Sequence, residues 1–470
     1  MSRQIGQISG LRNLIAEYGA LRTSHESAPQ RRGQAFNELI AAMLRWWGIG
    51  ANSSIRGTGG RDEIDVAFAV NETRFVLEAK WQKQPVSADP LEKLHGRIRS
   101  RAAGTRGIFL SMSGYTRPAH EAAEHNKWSD ILLLDNQHFE AMLCGVLPPS
   151  DLLTAILDHA SYRGGTYVSL TDLLVARTPG PAPTLTAHAR DPSVSPVSDL
   201  ARGITAPVVL SAGFDPSEIH AMLAGDDQHL LVAASSGVVK VDPQAGETTW
   251  ALPLKGCRGA LFIQQDRRLL ATRGNGVVYW ANGSLHVAAG GFSTMSRLLR
   301  GPDDSTWVFD TDDGSLTRIG ACPGDERRHS IEYNPFAPHV YRPVWLWDHR
   351  FLFVGGRYSY IVDLDGNTQL DPDSSFNLPH FSPMGLCALN KTTVVAASGD
   401  YESHVTTVER INLEGRESKL IARVGRTVHV FDLVVTKDHY LFLLLVGRGD
   451  DGWMTPVIVQ LDGLCASKCT

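Results

Sequence analysis

Apolar residues at 31–47 recur every three or four positions, which is the spacing of one face of an α-helix. Two extended segments with a period of two follow at 63–70 and 74–79. Three polar residues connect these segments, as in a β-hairpin. The pattern therefore predicts an amphipathic helix followed by a pair of antiparallel strands.

Helical and strand-like segments continue to alternate after the hairpin. A basic stretch at 91–101 has helical character, and a second helix is predicted to begin near Pro118. Apolar runs at 107–112 and 131–134 are short enough to be buried strands. Strands that alternate with helices in this order predict a mixed α/β core.

The chain changes character after this region. A helical docking segment is followed by a stretch rich in Pro, Ala, Ser and Thr, which is typical of an exposed linker. Short β-rich runs closed by Asp-Gly and Asn-Gly turns then fill the rest of the chain. The expected segments are an N-terminal helical extension at 1–30, an α/β domain at 31–145, the docking segment at 146–178, the linker at 179–203 and a β-rich domain at 204–470.

Paired strands recur at regular intervals in the β-rich domain. Their starting points are 39, 38, 44, 42 and 47 residues apart, which is the length of one four-stranded propeller blade. With a strand near Val208 as a candidate seventh unit, the repeat predicts an all-β propeller of six or seven blades, and a β-sandwich is the alternative. The six clear units begin at His229, Arg268, Thr306, Arg350, Thr392 and His439.

Length and charge refine this picture. A chain of 470 residues exceeds the size of one hydrophobic core, so at least two domains are expected. The formal net charge is -5, but residues 1–150 sum to +3 and the remainder to -8. Any nucleic-acid surface therefore belongs to the N-terminal part. No apolar run reaches the length of a membrane span and no signal-peptide core is present, so we expect a cytoplasmic protein without a membrane partner.

Asp65, Glu78 and Lys80 are the candidate catalytic residues. Residues two apart in a strand share a face, so Glu78 and Lys80 project the same way, and pairing of the two strands can bring Asp65 to Glu78. Two carboxylates form a hard oxygen site that suits Mg²⁺ or Mn²⁺, and such a site promotes phosphodiester hydrolysis. Lys80 is expected to orient or deprotonate the attacking water.

The segments RDEIDVAFA at 61–69 and RFVLEAK at 74–80, which follow a helix bearing Glu38, resemble the PD-(D/E)xK nucleases. The likeness is to Mrr-like endonucleases and archaeal Holliday-junction resolvases and covers roughly residues 30 to 140. It implies a restriction-endonuclease-like fold, a catalytic Lys80 and a metal site supported by Glu38. The metal ligands that we expect are Asp65, Glu78 and Ala79.

Two features near Asp65 depart from the pattern of the class. Ile64 stands where many members have proline, and Glu63, which shares a face with Asp65, is a rival ligand. A charged hairpin in an inactive domain of the same fold is the alternative interpretation.

Basic residues after the hairpin are candidates for contacts with phosphate groups, because Lys and Arg dominate nucleic-acid affinity. A solvated helix face is the alternative. The loop with Gly59 and Gly60 lacks the Gly-Lys-Ser/Thr ending of a nucleotide-binding P-loop and is expected to let the backbone approach the metal site or DNA. The basic candidates are Lys93, Arg97, Arg99 and Arg101.

These features predict a Mg²⁺-dependent endonuclease that acts on DNA, with RNA left open as substrate. The propeller is expected to bind an unknown ligand or protein, and by analogy the chain fits bacterial defence against phage or foreign DNA. Two cuts on a duplex need two active sites, which is consistent with a homo-oligomer. The alternatives are a structure-selective repair or junction-resolving nuclease and a non-catalytic nucleic-acid-binding scaffold organised by the propeller.

Overall fold

The structure is a computed structural model. It describes the whole chain except residues 1, 25–28, 57–62, 126, 177–178, 184, 189–196, 201–204, 213–217, 226–228, 244, 264–267, 295, 330–342, 347–349, 356–357, 364–382, 401–404, 416, 425–427, 437–439, 450–451, 454–456 and 463–470. None of the described helices is long and apolar enough to cross a membrane.

A five-stranded sheet with helices around it forms the N-terminal α/β region. The sheet has the order β1-β2-β3-β4-β5, with antiparallel pairing from β1 to β3 and parallel pairing from β3 to β5. The strands are β1 (Ala51–Arg56), β2 (Glu63–Val70), β3 (Thr73–Lys80), β4 (Thr105–Ser111) and β5 (Ile131–Asp135). The helices are α1 (Ser2–Thr23), α2 (Pro29–Trp46), α3 (Ala88–Arg99), α4 (Arg117–Glu124), α5 (Asn136–Leu143), α6 (Pro149–Arg163) and α7 (Leu170–Leu174).

The predicted elements of this region are confirmed. The predicted amphipathic helix is α2, the hairpin consists of β2 and β3, and the basic helix is α3. The helix predicted near Pro118 is α4, and the two apolar strands are β4 and β5. Strand β1, whose sequence ANSSIR has no clear apolar alternation, was not predicted and extends the sheet beside β2. Arg101 lies beyond the end of α3.

Asp135 connects the end of β5 to the start of α5. One carboxylate oxygen accepts hydrogen bonds from the backbone N–H groups of Gln137 (3.0 Å) and His138 (3.2 Å), and the other accepts from the Tyr167 hydroxyl (2.7 Å). Burial alone would raise the Asp135 pKa, but the His138 ring and these hydrogen bonds outweigh it and lower the pKa to about 2. The ionised carboxylate therefore fixes the start of α5.

Two short strands lie in the segment that the composition indicates as an exposed linker. They are β6 (Leu185–His188), which pairs with β8 (Thr205–Ala212), and β7 (Val197–Leu200), which pairs with β27 (Glu417–Val424). Their partners supply the hydrogen bonds that a free linker would make with water. The boundaries of the segments stay predictions.

Six antiparallel sheets form the β-rich region in the described residues. The second strands of these sheets coincide with the six units of the sequence repeat, which confirms the repeat. The first sheet contains β9 (Ile219–Ala224), β10 (Leu230–Ala234), β11 (Gly237–Asp242) and β12 (Glu247–Leu252), and the second contains β13 (Cys257–Ile263), β14 (Arg268–Arg273), β15 (Gly276–Ala281) and β16 (Ser284–Gly290). The third contains β17 (Arg297–Arg300), β18 (Thr306–Phe309), β19 (Leu316–Arg318) and β20 (Arg327–His329), and the fourth contains β21 (Val344–Trp345), β22 (Arg350–Gly355) and β23 (Tyr358–Asp363). The fifth contains β24 (Pro383–Asn390), β25 (Thr393–Asp400), β26 (Val405–Asn412) and β27, and the sixth contains β28 (Val428–Val435), β29 (Leu441–Gly449), β30 (Gly452–Trp453) and β31 (Val457–Asp462).

The first strands of the six sheets form a closed ring. Strands β9, β13, β17, β21, β24 and β28 contact one another in this order, and β28 contacts β9. The buried carboxylate of Asp432 on β28 also accepts a hydrogen bond from the Met222 N–H on β9 (2.9 Å). The β-rich region is a six-bladed β-propeller.

The strand near Val208 does not form a seventh blade. It is β8, which pairs with β31 in the sixth sheet, so an early strand and a late strand of the β-rich region complete the same blade. This pairing removes the free edges that an open array of sheets would have.

The residues divide into two compact units. The first comprises Met1–Val175 together with the short segments Gly274–Ser293 and Gly320–Glu326, and the second comprises the rest of the chain.

Candidate active site

Strands β2 and β3 bring Asp65 and Glu78 together. Val66 lies opposite Leu77 in the antiparallel register, and one further step places Asp65 opposite Glu78. Ile64 and Val66 are buried while Asp65 between them is partly exposed, so the carboxylate is on the polar face of β2. The predicted proximity of Asp65 and Glu78 is confirmed.

The Asp65 carboxylate is held by the main chain of the neighbouring strand. Its Oδ2 atom accepts a hydrogen bond from the Ala79 N–H at 2.8 Å. Burial raises the pKa of Asp65, and the negative charge of Glu78 adds to this effect, although Ala79, Lys80 and the amide of Asn37 act in the opposite direction. A carboxylate in such surroundings gains more from a bound cation than a solvated one does.

Glu78 lies between two cationic side chains. Its Oε1 atom is 3.2 Å from Lys80 Nζ, and its Oε2 atom is 3.0 Å from Arg97 Nη1 on α3. The Glu78 side chain is only 12% exposed, and Oε2 is buried without a hydrogen bond of favourable geometry. The Arg97 contact is therefore a charge interaction rather than a hydrogen bond of good geometry.

The donor set fits a magnesium or manganese ion. Mg²⁺ is bound through one or two carboxylates and keeps several waters, and Asp65 with Glu78 provides these two carboxylates. Glu63, the rival ligand, is exposed at the start of β2. Within the described part of the chain, no group of three or more His, Cys, Asp or Glu side chains could hold a metal ion.

Glu38, the residue expected to support the metal site, contacts strand β1. Its Oε1 atom accepts a hydrogen bond from Ser53 Oγ on β1 (2.6 Å), and its side chain is exposed. The preceding residue, Asn37, is 8% exposed and stabilises the Asp65 carboxylate. Sequence reasoning missed Asn37, although a buried amide inside the apolar stripe of α2 is a signal for such a role.

The four basic residues that the sequence suggests for contacts with phosphate groups differ in their surroundings. Lys93 and Arg99 are exposed on α3, whereas Arg97 turns towards Glu78 and Arg101 has a buried Nε atom. Gly59 and Gly60 lie outside the described residues.

Comparison with known families decides the nature of this domain. Residues 30–143 match the Mrr catalytic family, which is described as restriction endonuclease. Residues 30–143 are a restriction endonuclease domain. The domain contains Asp65, Glu78, Lys80 and Arg97, and it covers less than a third of the chain. No curated protein matches the sequence.

Solved structures similar to the chain include several propellers of low sequence identity. A gluconolactonase from Xanthomonas campestris is 14% identical over 62% of this chain and 97% of its own, with a TM-score of 0.40. The PQQ-bound aldose sugar dehydrogenase from Streptomyces coelicolor is 15% identical over 60% and 99%, with a TM-score of 0.39. The calcium-binding protein regucalcin from Agrobacterium tumefaciens is 14% identical over 52% and 91%, with a TM-score of 0.37. These similarities are too low to assign a function, and the propeller rests on the strand pairing of this chain.

Proposed function

We propose that the chain is a Mg²⁺- or Mn²⁺-dependent endonuclease that hydrolyses phosphodiester bonds of DNA. The observation that carries this proposal is the pairing of Asp65 and Glu78 across two strands of the restriction endonuclease domain, with Lys80 beside them. These are the groups that metal-assisted hydrolysis of a phosphodiester requires.

Each residue of the site has a distinct task in this mechanism. Asp65 and Glu78, with the main chain at Ala79, would hold the ion, and the ion would supply Lewis-acid polarisation of the phosphate and of water. The Ala79 N–H and Asn37 fix the orientation of Asp65. The Lys80 side chain is 42% exposed and so can reach a water or a phosphate while it remains beside Glu78.

The surroundings of the site support a role in nucleic-acid binding. Lys93 and Arg99 extend into solvent from α3 and are available to phosphate groups of the backbone. We assign Gly59, Gly60 and Arg101 to contacts with the substrate, and Glu38 to support of the site through β1.

The propeller is the proposed recognition module for a ligand or protein partner. A nuclease combined with such a module is suited to a cytoplasmic defence against phage or foreign DNA, in which recognition would precede cleavage. A homo-oligomer would provide the two active sites that a double-strand cut requires.

The experiment that tests the function is cleavage of supercoiled plasmid, linear duplex, four-way junction, single-stranded DNA and RNA with Mg²⁺ or Mn²⁺. The variants are Asp65→Asn and Lys80→Met, with Arg74→Gln, an exposed residue on the same strand as Lys80, as the matched control. We expect both site variants to lose activity by about 10²-fold or more. The control should cut like the native chain.

The other outcomes separate the rival functions. A strong preference for the junction would identify a junction-resolving enzyme. Binding of nucleic acid without cleavage in either metal would identify a scaffold. Cleavage that persists in both site variants would refute the proposed active site.

A further inference from the structure

Arg97 makes a contact that the mechanism does not use. It lies in the last turn of α3, and its guanidinium is 3.0 Å from the buried Oε2 atom of Glu78. Lys80 occupies the other oxygen of the same carboxylate. Glu78 therefore cannot offer both oxygens to a metal ion while Arg97 remains in place.

The formal charges of the site sum to zero without a metal. Asp65 and Glu78 contribute two negative charges, and Lys80 and Arg97 contribute two positive charges. A divalent ion between the carboxylates would place the guanidinium next to a like charge at short range, which is unfavourable in a partly desolvated site. Arg97 and the metal therefore compete for Glu78.

Arg97 has room to leave this position. Its side chain is 36% exposed and its contact with Oε2 lacks good hydrogen-bond geometry. Lys93, four residues earlier on α3, lies on the same face of the helix and is exposed. A released Arg97 would join Lys93 on a surface that can contact phosphate, and a guanidinium is well suited to phosphate because it can donate two parallel hydrogen bonds.

We propose that Arg97 is an exchangeable counterion, which neutralises Glu78 in the metal-free site and moves to a phosphate group of the nucleic acid when the metal binds. The inference rests on the proposed function and extends it. It couples the two binding events, because the metal frees Arg97 for the phosphate and the phosphate withdraws Arg97 from Glu78. Such coupling is reciprocal, so each ligand strengthens the binding of the other.

The test compares the full chain with Arg97→Gln in two binding measurements. Isothermal titration with Mn²⁺ in the absence of nucleic acid should show about 3- to 10-fold tighter binding in the variant, because the competitor is gone. Fluorescence anisotropy with a labelled duplex in Ca²⁺ should show weaker binding by about 3- to 30-fold and a salt dependence reduced by about one phosphate contact. The two effects have opposite signs, which a merely misfolded variant would not produce.

Arg99→Gln is the matched control, since it removes the same charge from the same helix at an exposed position. It should leave Mn²⁺ affinity unchanged and weaken duplex binding equally in Ca²⁺ and in EDTA. In Arg97→Gln the loss should be larger in Ca²⁺ than in EDTA, because Arg97 is released only by the metal.

The outcomes that refute the inference differ from those that refute the function. Mn²⁺ affinity that is unchanged or weaker in Arg97→Gln, with native thermal unfolding, would show that Arg97 only positions Glu78. Absence of Mn²⁺ binding by the native chain, or equal binding by Asp65→Asn, would refute the metal site itself and the inference with it.

Discussion

At the scale of single residues, the ionised carboxylate of Asp135 stabilises the start of α5. Its pKa of about 2 lies below the ordinary value of 3.8, so the folded state favours the charged form. The corresponding stability is present above pH 4 and is lost as the pH falls towards 2, and it amounts to about 2 kcal/mol.

We therefore expect Asp135→Ala to lower the free energy of unfolding by about 2 kcal/mol at pH 7 and by little near pH 2. Urea denaturation between these pH values measures the difference. Asp130→Asn, which breaks a half-exposed ion pair with Arg106, is the control and should cost less than about 1 kcal/mol. A cost of Asp135→Ala that does not change with pH would contradict the assignment.

The pKa of Glu140 is shifted in the opposite direction, above its ordinary value. Burial raises its pKa to about 7, and its Oε1 atom accepts a hydrogen bond from the Tyr18 hydroxyl at 2.8 Å. The folded state thus binds a proton that the unfolded state releases near pH 4.5, so stability falls as the pH rises from about 4.5 to 7.

Replacement of Glu140 by Gln keeps an acceptor for Tyr18 and removes the charge. We expect Glu140→Gln to have a higher melting temperature than the native chain at pH 8 and the same melting temperature at pH 5. Part of the pH dependence should remain in the variant, because burial also raises the pKa of Glu326 to about 7. Equal melting temperatures of the two proteins at pH 8 would argue against a buried, costly charge on Glu140.

The sequence predicts the relation of Asp65, Glu78 and Lys80, because the period of a strand and a short hairpin determine which side chains meet. The contacts of Asn37 and Arg97 are not predictable in this way. They depend on how α2 and α3 are rotated against the sheet, and one residue along a helix changes the direction of a side chain by about 100°. For this reason Asn37 and not Glu38 reaches Asp65.

At the scale of elements, α2 connects the core of the restriction endonuclease domain to the site. Phe36 is 1% exposed and packs edge-on against Trp81 and Phe139. The centroid of its ring is 4.7 Å from that of Trp81 and 5.1 Å from that of Phe139. The next residue is Asn37, so the packing of Phe36 sets the position of the amide that contacts Asp65.

Phe36→Ala is expected to destabilise the domain by about 3 to 5 kcal/mol through lost burial and the cavity that remains. Chemical denaturation measures this cost. Gln34→Ala, at an exposed position of the same helix, is the control and should change stability by less than about 0.5 kcal/mol. A small cost for Phe36→Ala would mean that α2 is not anchored by this aromatic cluster.

Elements with a strong apolar period were predictable, and those that depend on distant partners were not. Polar and apolar residues alternate only weakly in strand β1, and the strand is defined by its pairing with β2. Strands β6 and β7 lie in a segment of linker-like composition and pair with strands β8 and β27. Composition reports only local preference, whereas pairing depends on which edge is available.

At the scale of the whole molecule, the repeat in the sequence indicated the propeller. The number of blades depended on which sheet the first strand of the β-rich region joins. The strand near Val208 has the character of a further unit, yet it completes the last sheet through β31. A period along the chain cannot show this, because the paired strands stand at opposite ends of the β-rich region.

Truncation after residue 456 removes β31 and should open the ring. We expect a lower melting temperature, and faster amide exchange in β8 and β29, the two partners of β31. Truncation after residue 462 keeps β31 and is the control. Native exchange rates in the shorter chain would contradict the closure by β31.

The pairing of β8 with β31 also sets an order of events on the ribosome. Roughly 245 residues separate the two strands, so at about 5 to 20 residues per second β8 is made about 12 to 50 s before its partner. The restriction endonuclease domain is complete before that interval begins. Each newly made molecule therefore passes through a period in which its restriction endonuclease domain has been synthesised and its ring has not yet closed.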